Sequence, residues 1–310
     1  MRNALIAAVA ASLSLASTPA YAWGTAAHRY IMRRAIELLP PEIKPFFEQH
    51  RDELVMRVID PDLWRTEGWE EDPNHFVDFG VREYGEFPFK ELPREYDAAI
   101  EKFGMATVRR NGTLPWREAE EFGNLRRAFE TLARGNEFSR GNIVLFSAIA
   151  SHYAQDAHQP LHATINYDGR ETRQDGVHAR FEGSLFERYE AKLTINPAPV
   201  KPILKPRDFA FETLLDSYKL VDRVLAADKD AAAGKDEYDD DYFDKFLAKV
   251  KPVLEQRLAQ SITATASLIV GAWQQAGRPE FKPETKRPPQ KIRKNGVRNT
   301  LRAGPAAPGR

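Results

Sequence analysis

The stretch His152-Tyr-Ala-Gln-Asp156-Ala-His158-Gln-Pro-Leu-His162 holds three of the seven histidines of this 310-residue chain, with an aspartate between them. His152 and Asp156 are four residues apart, so on a helix they lie on one face. The preceding residues from about Asn142 are mostly apolar, which predicts a largely buried helix over 142–159. A buried imidazole and carboxylate need a partner that compensates for their desolvation, and a divalent metal ion is such a partner.

A second pair of the same kind follows in Gly176-Val-His178-Ala-Arg-Phe-Glu182, where His178 and Glu182 are again four residues apart. One such pair alone is most often an ordinary surface contact. Two pairs in one short region favour a metal site, and zinc accepts both imidazole nitrogen and carboxylate oxygen. The chain has no cysteine, which excludes thiolate ligands, disulfides and a cysteine nucleophile.

The N-terminal residues 1–22 have the three parts of a secretory signal peptide: a basic start at Arg2, an apolar run over 4–16, and small residues before a cleavage site. We therefore expect a secreted or periplasmic protein whose processed chain begins at Trp23, close to His28. A free α-amine has a pKa of roughly 7.7 to 8 and can bind metal near neutral pH. No later stretch has the roughly 18 apolar residues that a membrane span requires.

The remaining sequence predicts an all-α fold, because apolar residues recur every three to four positions and no strand-like alternation of any length occurs. We predict two helices between 23 and 60, separated at Pro40-Pro41. Further helices are predicted over 115–134, 142–159, 177–193, 209–227 and 242–276. We interpret 63–93 as a long connection. One multi-helix domain over 23–277 would then be followed by a basic, Pro-rich flexible tail over 278–310.

Charge is unevenly distributed, although the formal net charge is zero. Residues 23–277 contain 34 basic and 43 acidic side chains, a net charge of −9, whereas 278–310 contains ten basic and two acidic ones. An acidic body argues against broad electrostatic capture of nucleic acid. Bound zinc would reverse that sign locally.

These motifs resemble the superfamily that joins the zinc-dependent phospholipase C of bacteria with the trinuclear zinc nucleases of fungi and plants. The resemblance covers Trp23 to at least Glu182. It implies a processed N-terminal Trp that binds zinc through its amino and carbonyl groups, followed by an early His, and Trp23 and His28 match that pattern. The single multi-helix domain expected above is the fold that the resemblance implies.

The resemblance also implies three zinc ions with assigned ligands. One ion would be held by Asp62, His75, His152 and Asp156; the second by Trp23, His28 and a bridging Asp156; the third by His162, His178 and Glu182. Asp60 is a rival for Asp62, but Asp62 has Arg65 three residues later, as in the Asp-x-x-Arg pattern of the nucleases. Asp156 would fix the separation of two ions, and Asp62 would orient or deprotonate the nucleophile.

The chemistry expected is phosphodiester hydrolysis, because zinc lowers the pKa of bound water towards about 7. The segment around Asp156 and the Trp23/His28 spacing look more like the nucleases, and the segment 176–182 looks more like phospholipase C. We therefore slightly favour an endonuclease on single-stranded nucleic acid, with phospholipase C as the alternative. A non-catalytic zinc-stabilised interaction protein is a further alternative. No obligate protein partner is indicated.

Two other histidines and four aromatic residues have a plainer interpretation. We expect His158 to lie outside the ligand set, in a supporting or surface position, and His50 to be exposed. Core packing is the default for aromatic side chains, although a substrate cleft is the other interpretation. These aromatic residues are Trp64, Trp69, Phe76 and Phe79.

Overall fold

The computed structural model describes residues 23–136 and 138–282, and within these ranges it contains helices and no β-strand. The all-α prediction is confirmed. The signal peptide predicted over 1–22 and most of the tail predicted over 278–310 lie outside the described residues. The chain divides into one unit ending at Glu280 and a second from Phe281 to Arg310.

The first unit is built from helices that follow one another along the chain. They are α1 (Thr25–Glu37), α2 (Lys44–Gln49), α3 (Arg51–Arg57), α4 (Asp60–Thr66), α5 (Tyr96–Phe103), α6 (Met105–Arg110), α7 (Leu114–Ala133), α8 (Ser139–Asp156), α9 (Val177–Ala179), α10 (Leu185–Tyr189), α11 (Pro206–Tyr218), α12 (Val221–Ala231) and α13 (Asp240–Gln275). Short 3₁₀ turns cover Asp72–His75, Arg82–Tyr84, Pro160–Ala163, Arg170–Thr172 and Glu190–Lys192. A π-helical turn, Arg180–Ser184, joins α9 to α10.

Helix α8 forms the centre of the unit, packed against α7, α13, α3 and α1. It is buried on nearly all sides, because its residues are small or apolar. Helix α1 is amphipathic and buries His28, Ile31, Ala35 and their neighbours at helical spacing. Helix α13 has 36 residues, and it begins where the side chain of Asp239 accepts a hydrogen bond from the Tyr242 N–H at 2.8 Å.

Several predicted boundaries are wrong. The helix predicted over 209–227 is two helices, α11 and α12, separated at Lys219–Leu220. The helix predicted between Pro41 and Asp60 is divided at His50 into α2 and α3. The connection predicted over 63–93 includes most of α4, and α5 and α6 were not predicted. Among the described residues, no helix is long and apolar enough to cross a membrane.

Candidate metal centre

The predicted ligand side chains converge at one end of α8. His28 comes from α1, Asp62 from α4, His75 from the 3₁₀ turn that follows, and His152 and Asp156 from α8 itself. The third predicted set comes from the next 3₁₀ turn and from the α9 segment with its π-helical turn: His162, His178 and Glu182. All eight of these side chains are buried, with at most 6% of their surface exposed.

The first group is formed by Asp62, His75 and His152, whose candidate ligand atoms lie within 4.8 Å of one another. The Asp62 Oδ1 atom is 3.8 Å from His75 Nδ1 and 3.9 Å from His152 Nε2. Asp156 adjoins this group, with its Oδ2 atom 3.0 Å from His75 Nδ1 and 3.2 Å from His152 Nε2. Four donor atoms thus face a common point.

The second group contains His28, His152 and Asp156. His28 Nε2 is 3.3 Å from Asp156 Oδ1, whereas the other carboxylate oxygen faces the first group. Asp156 therefore lies between the two groups in the way that a bridging carboxylate requires. Trp23 is fully buried beside them, and its indole N–H donates to the Gln155 carbonyl at 2.7 Å.

The third group is formed by His162, His178 and Glu182. His162 Nε2 and His178 Nε2 are 3.1 Å apart, and Glu182 Oε2 lies 2.8 Å from His178 Nε2. The π-helical turn places Gly183 beside Gly24, where a Cβ on Gly24 would lie 2.9 Å from the Gly183 Cα. Only glycine at position 24 allows the start of the described chain to approach Glu182 so closely.

Three of the imidazoles are oriented by hydrogen bonds on the nitrogen that faces away from the groups. His28 Nδ1 donates to Gln155 Oε1 at 2.6 Å, His152 Nδ1 to the Val58 carbonyl at 2.8 Å, and His162 Nδ1 to the His75 carbonyl at 2.6 Å. Such bonds fix the tautomer and leave Nε2 as an electron-pair donor towards the group.

Unsatisfied polar atoms indicate that these groups fit a metal ion. Buried polar atoms almost always have hydrogen-bond partners, yet several here have none among the described residues. Those that face the groups are His28 Nε2, both Asp62 carboxylate oxygens and Asp156 Oδ1. Nitrogen and oxygen donors with three carboxylates are a set that zinc accepts.

The protein alone distributes protons unevenly over the first group. Burial lowers the pKa of His75 to about 3. Burial also acts to lower the pKa of His152, but the carboxylates of Asp156 and Asp62 outweigh it and raise that pKa to about 9. Burial acts to raise the pKa of Asp156, yet His152 and His162 hold it well below its usual range. In the metal-free protein, the positive charge of His152 and the negative charge of Asp156 therefore stabilise each other.

A cavity of about 300 Å³ opens over the first and third groups. Three of the candidate ligands line it: His75, His162 and His178. Its remaining lining is Arg65, Asp72, Phe76, Leu161 and Tyr167. A small polar substrate could thus reach atoms of both groups.

The structure shows where the residues lie that the sequence left as alternative or supporting candidates. Asp60 pairs with Arg57, with Oδ2 3.4 Å from Nη1, and it belongs to none of the three groups. His158 lies outside the groups as predicted, but a surface position is wrong, because it is 3% exposed and bonds to the Ala154 carbonyl. His50, which was expected to be exposed, is partly buried, and its Nδ1 atom lies 3.8 Å from Glu53 Oε2.

The aromatic residues divide between core and surface. Phe79 is in the core, with 1% of its surface exposed, and Phe76 lines the cavity. Trp69 is 59% exposed and stacks on Trp64 with 5.5 Å between ring centres, so core packing is wrong for this pair.

Two glutamines support the groups and were not predicted. Gln155 bonds to His28, and the Gln159 amide donates to Glu182 Oε2 at 2.9 Å. Both lie inside the segment 152–162, but an amide side chain in a buried helix carries no metal signal in sequence. Their roles become visible only when the partner from another helix is known.

Comparisons with known proteins add little to this geometry. No protein-family model matches the sequence, and a search of curated proteins found no match. Among solved structures, the chain is similar to a crystal structure of Clostridium perfringens alpha-toxin from an avian strain, with 16% identity and a TM-score of 0.47. The match covers 82% of this chain and 64% of the alpha-toxin chain, so this chain spans less than two thirds of it. Such similarity says nothing about the chemistry of the site.

Proposed function

We propose that this protein is a zinc-dependent phosphodiester hydrolase with ions at the three groups. The observation that carries the proposal is the convergence of three buried His/carboxylate groups with unsatisfied donor atoms, two of which contribute side chains to the wall of an open cavity. The resemblance of Trp23, His28 and the later ligand motifs to the phospholipase C and nuclease superfamily supplies the reaction class.

The ligand assignment follows the three groups. Asp62, His75, His152 and Asp156 hold the first ion; Trp23, His28 and Asp156 hold the second; His162, His178 and Glu182 hold the third. The part of Trp23 depends on cleavage before it, which frees its amine. A protein processed in this way is exported, as the N-terminal residues suggest.

The chemistry that zinc supplies when bound is polarisation of phosphoryl oxygens and a water that loses its proton near neutral pH. The chain contributes the remaining functions. Asp62 has two buried oxygens that accept no hydrogen bond among the described residues, and it is placed to accept the proton of the attacking water. Arg65 lines the cavity with Nη1 3.6 Å from Asp62 Oδ1, and it offers a permanent positive charge to the substrate phosphate.

A phospholipid headgroup ester is the substrate class that the surroundings of the cavity favour. Tyr167 at the cavity wall is 41% exposed, and the exposed side chains Leu63, Trp69 and Ile165, which lie within four residues of the lining residues Arg65 and Tyr167 in sequence, are apolar or aromatic. Exposed apolar side chains on the segments that line a cavity suit a lipid better than a polyanion. The net charge of −9 over 23–277 also opposes capture of nucleic acid.

Single-stranded nucleic acid is the second candidate, supported by the nuclease-like segment around Asp156 and the exposed Trp64/Trp69 pair, on which bases could stack. The test is parallel assay of processed protein on phosphatidylcholine, single-stranded DNA and RNA, with Asp156→Asn as the control. Hydrolysis of one class, lost in the variant, supports the proposal and identifies the substrate. Full metal content without hydrolysis of any of them supports the non-catalytic interaction protein instead.

A further inference from the structure

We propose that Glu71, held by Tyr153, positions His75 for metal binding and keeps the proton on its outer ring nitrogen. This inference rests on the proposed metal centre, and it assigns a function to a residue outside all three groups. Glu71 would act through His75 and would not touch the substrate.

The orientation of His75 leaves one ring nitrogen without a partner. Its Nδ1 atom faces the first group, 3.0 Å from Asp156 Oδ2 and 3.1 Å from His152 Nε2. Its Nε2 atom therefore points away, and it is buried without a hydrogen bond among the described residues. A metal-bound histidine normally donates its other N–H to a carboxylate, a carbonyl or water, which fixes the tautomer and increases the basicity of the ligand nitrogen.

Glu71 provides the carboxylate that His75 lacks. It lies four residues earlier, at the start of the 3₁₀ turn 72–75, and its Oε1 atom is 4.0 Å from His75 Nε2. A shift of about 1 Å would bring the two atoms to the distance of a charge-assisted hydrogen bond. No other carboxylate among the described residues lies within 4.0 Å of that nitrogen.

Tyr153 holds the Glu71 carboxylate in this position. Its hydroxyl donates to Glu71 Oε1, and the Arg117 Nε–H donates to the Tyr153 oxygen at 3.3 Å. Arg117 also pairs with Glu121, but through Nη1, 3.1 Å from Glu121 Oε1, and not through the Nε–H that contacts Tyr153. The Tyr153 hydroxyl is thus the hydrogen-bond donor that a carboxylate only 6% exposed requires.

This network also joins two of the three segments that supply the first group, α8 and the 3₁₀ turn 72–75. Tyr153 follows His152 directly in α8, and Glu71 lies four residues before His75. The hydrogen bond between Tyr153 and Glu71 therefore connects the segment that carries His152 to the segment that carries His75. A purely structural role for Glu71 would change the stability of the protein and leave its metal affinity alone. A positioning role changes metal affinity even where the metal-free protein is as stable as before.

The test measures metal affinity in Glu71→Gln, Tyr153→Phe and Glu121→Gln, each prepared as full-length processed protein loaded with zinc. Glu121→Gln is the matched control, because Glu121 is a buried carboxylate on the same arginine without contact to His75. Each protein is dialysed against graded chelator, the retained zinc is counted by elemental analysis, and the melting temperature of the metal-free form is recorded.

We expect Glu71→Gln to weaken zinc binding at the first group by about 10- to 100-fold, with zinc at the third group retained. Tyr153→Phe should weaken the same ion to a smaller degree, and it decides the question if Glu71→Gln does not fold. Glu121→Gln should match the wild type. Equal zinc retention in all three variants would overturn the inference, as would a loss confined to metal-free stability. A wild-type protein that binds no zinc would instead contradict the proposed function.

Discussion

At the scale of single residues, the candidate metal centre depends on which carboxylate oxygens accept no hydrogen bond from the protein. Asp62 and Asp60 lie on the same helix two residues apart, and sequence alone left both as candidates. Asp60 accepts a hydrogen bond from Arg57, whereas the two oxygens of Asp62 are buried and accept no hydrogen bond among the described residues, although Arg65 Nη1 lies 3.6 Å from Oδ1. Buried carboxylate oxygens that accept no hydrogen bond suit a metal ion.

We therefore predict that Asp62→Asn loses the ion of the first group and at least about 100-fold of the hydrolytic rate, because removing a ligand and proton acceptor typically costs roughly 10²- to 10⁴-fold. Asp60→Asn, its matched control, should keep full metal content and activity. Elemental analysis and initial rates of both variants check this. Metal loss in the Asp60 variant with retention in the Asp62 variant would reverse the assignment.

A second buried carboxyl group lies away from the metal centre. Glu118 on α7 is fully buried, and its carboxyl oxygens have no hydrogen-bond partner among the described residues. Burial raises the pKa of Glu118 well above its ordinary value of 4.5. Since the pKa is higher in the folded state, the neutral acid contributes stability below about pH 4.5, and this contribution is lost as pH rises.

Glu118→Gln should remove this pH dependence of the free energy of unfolding, because glutamine has the shape of the neutral acid and does not ionise. The variant should match the wild type near pH 4.5 and exceed it in stability increasingly as pH rises. Urea denaturation midpoints of the two proteins at a series of pH values give the difference directly. Parallel curves would show that Glu118 keeps its ordinary pKa.

At the scale of helices, the third group depends on a buried anchor between α12 and the π-helical turn. Arg180 lies between His178 and Glu182, and its guanidinium donates to Asp228 at 2.9 and 3.1 Å. Asp228 also accepts from Tyr242 and, at 2.7 Å, from Gln174. This network fixes the segment that presents His178 and Glu182.

Asp228→Asn should destabilise the protein by about 3 to 5 kcal/mol, since it leaves a buried guanidinium unpaired, and it should release the ion of the third group first. Asp230→Asn on the same helix is the control, because it breaks only an exposed pair with Lys249. Chemical denaturation and zinc retention measure both effects. Full retention of the third ion in a destabilised Asp228 variant would separate the anchor from the site.

The helices were predictable to the extent that local pattern determines them. The strong apolar periodicity around α1, α8 and α13 indicated these elements, and the pairs at 152/156 and 178/182 share helix faces as expected. The break between α11 and α12 was missed, because no Pro or Gly marks Lys219–Leu220. The roles of Gln155 and Glu71 depend on contacts between distant segments, such as the 127 positions that separate His28 from Gln155.

At the scale of the whole molecule, the three groups join α1, α4, α8 and α9, which are distant in sequence. Ions bound only by the folded protein stabilise it, by about 4 kcal/mol when free metal exceeds the dissociation constant roughly 1,000-fold. Chelation should therefore lower the melting temperature, and added zinc should restore it in proportion to the logarithm of its concentration. An unchanged melting temperature after complete zinc removal would contradict this.

The central claim is that zinc occupies three defined places in this protein. Anomalous diffraction at the zinc absorption edge, from crystals of the processed protein purified without chelator, tests it most directly. We predict three peaks: one among Asp62, His75 and His152; one beside His28 and Asp156; and one among His162, His178 and Glu182. Peaks found only on the surface, or no peak within these groups, would contradict the claim.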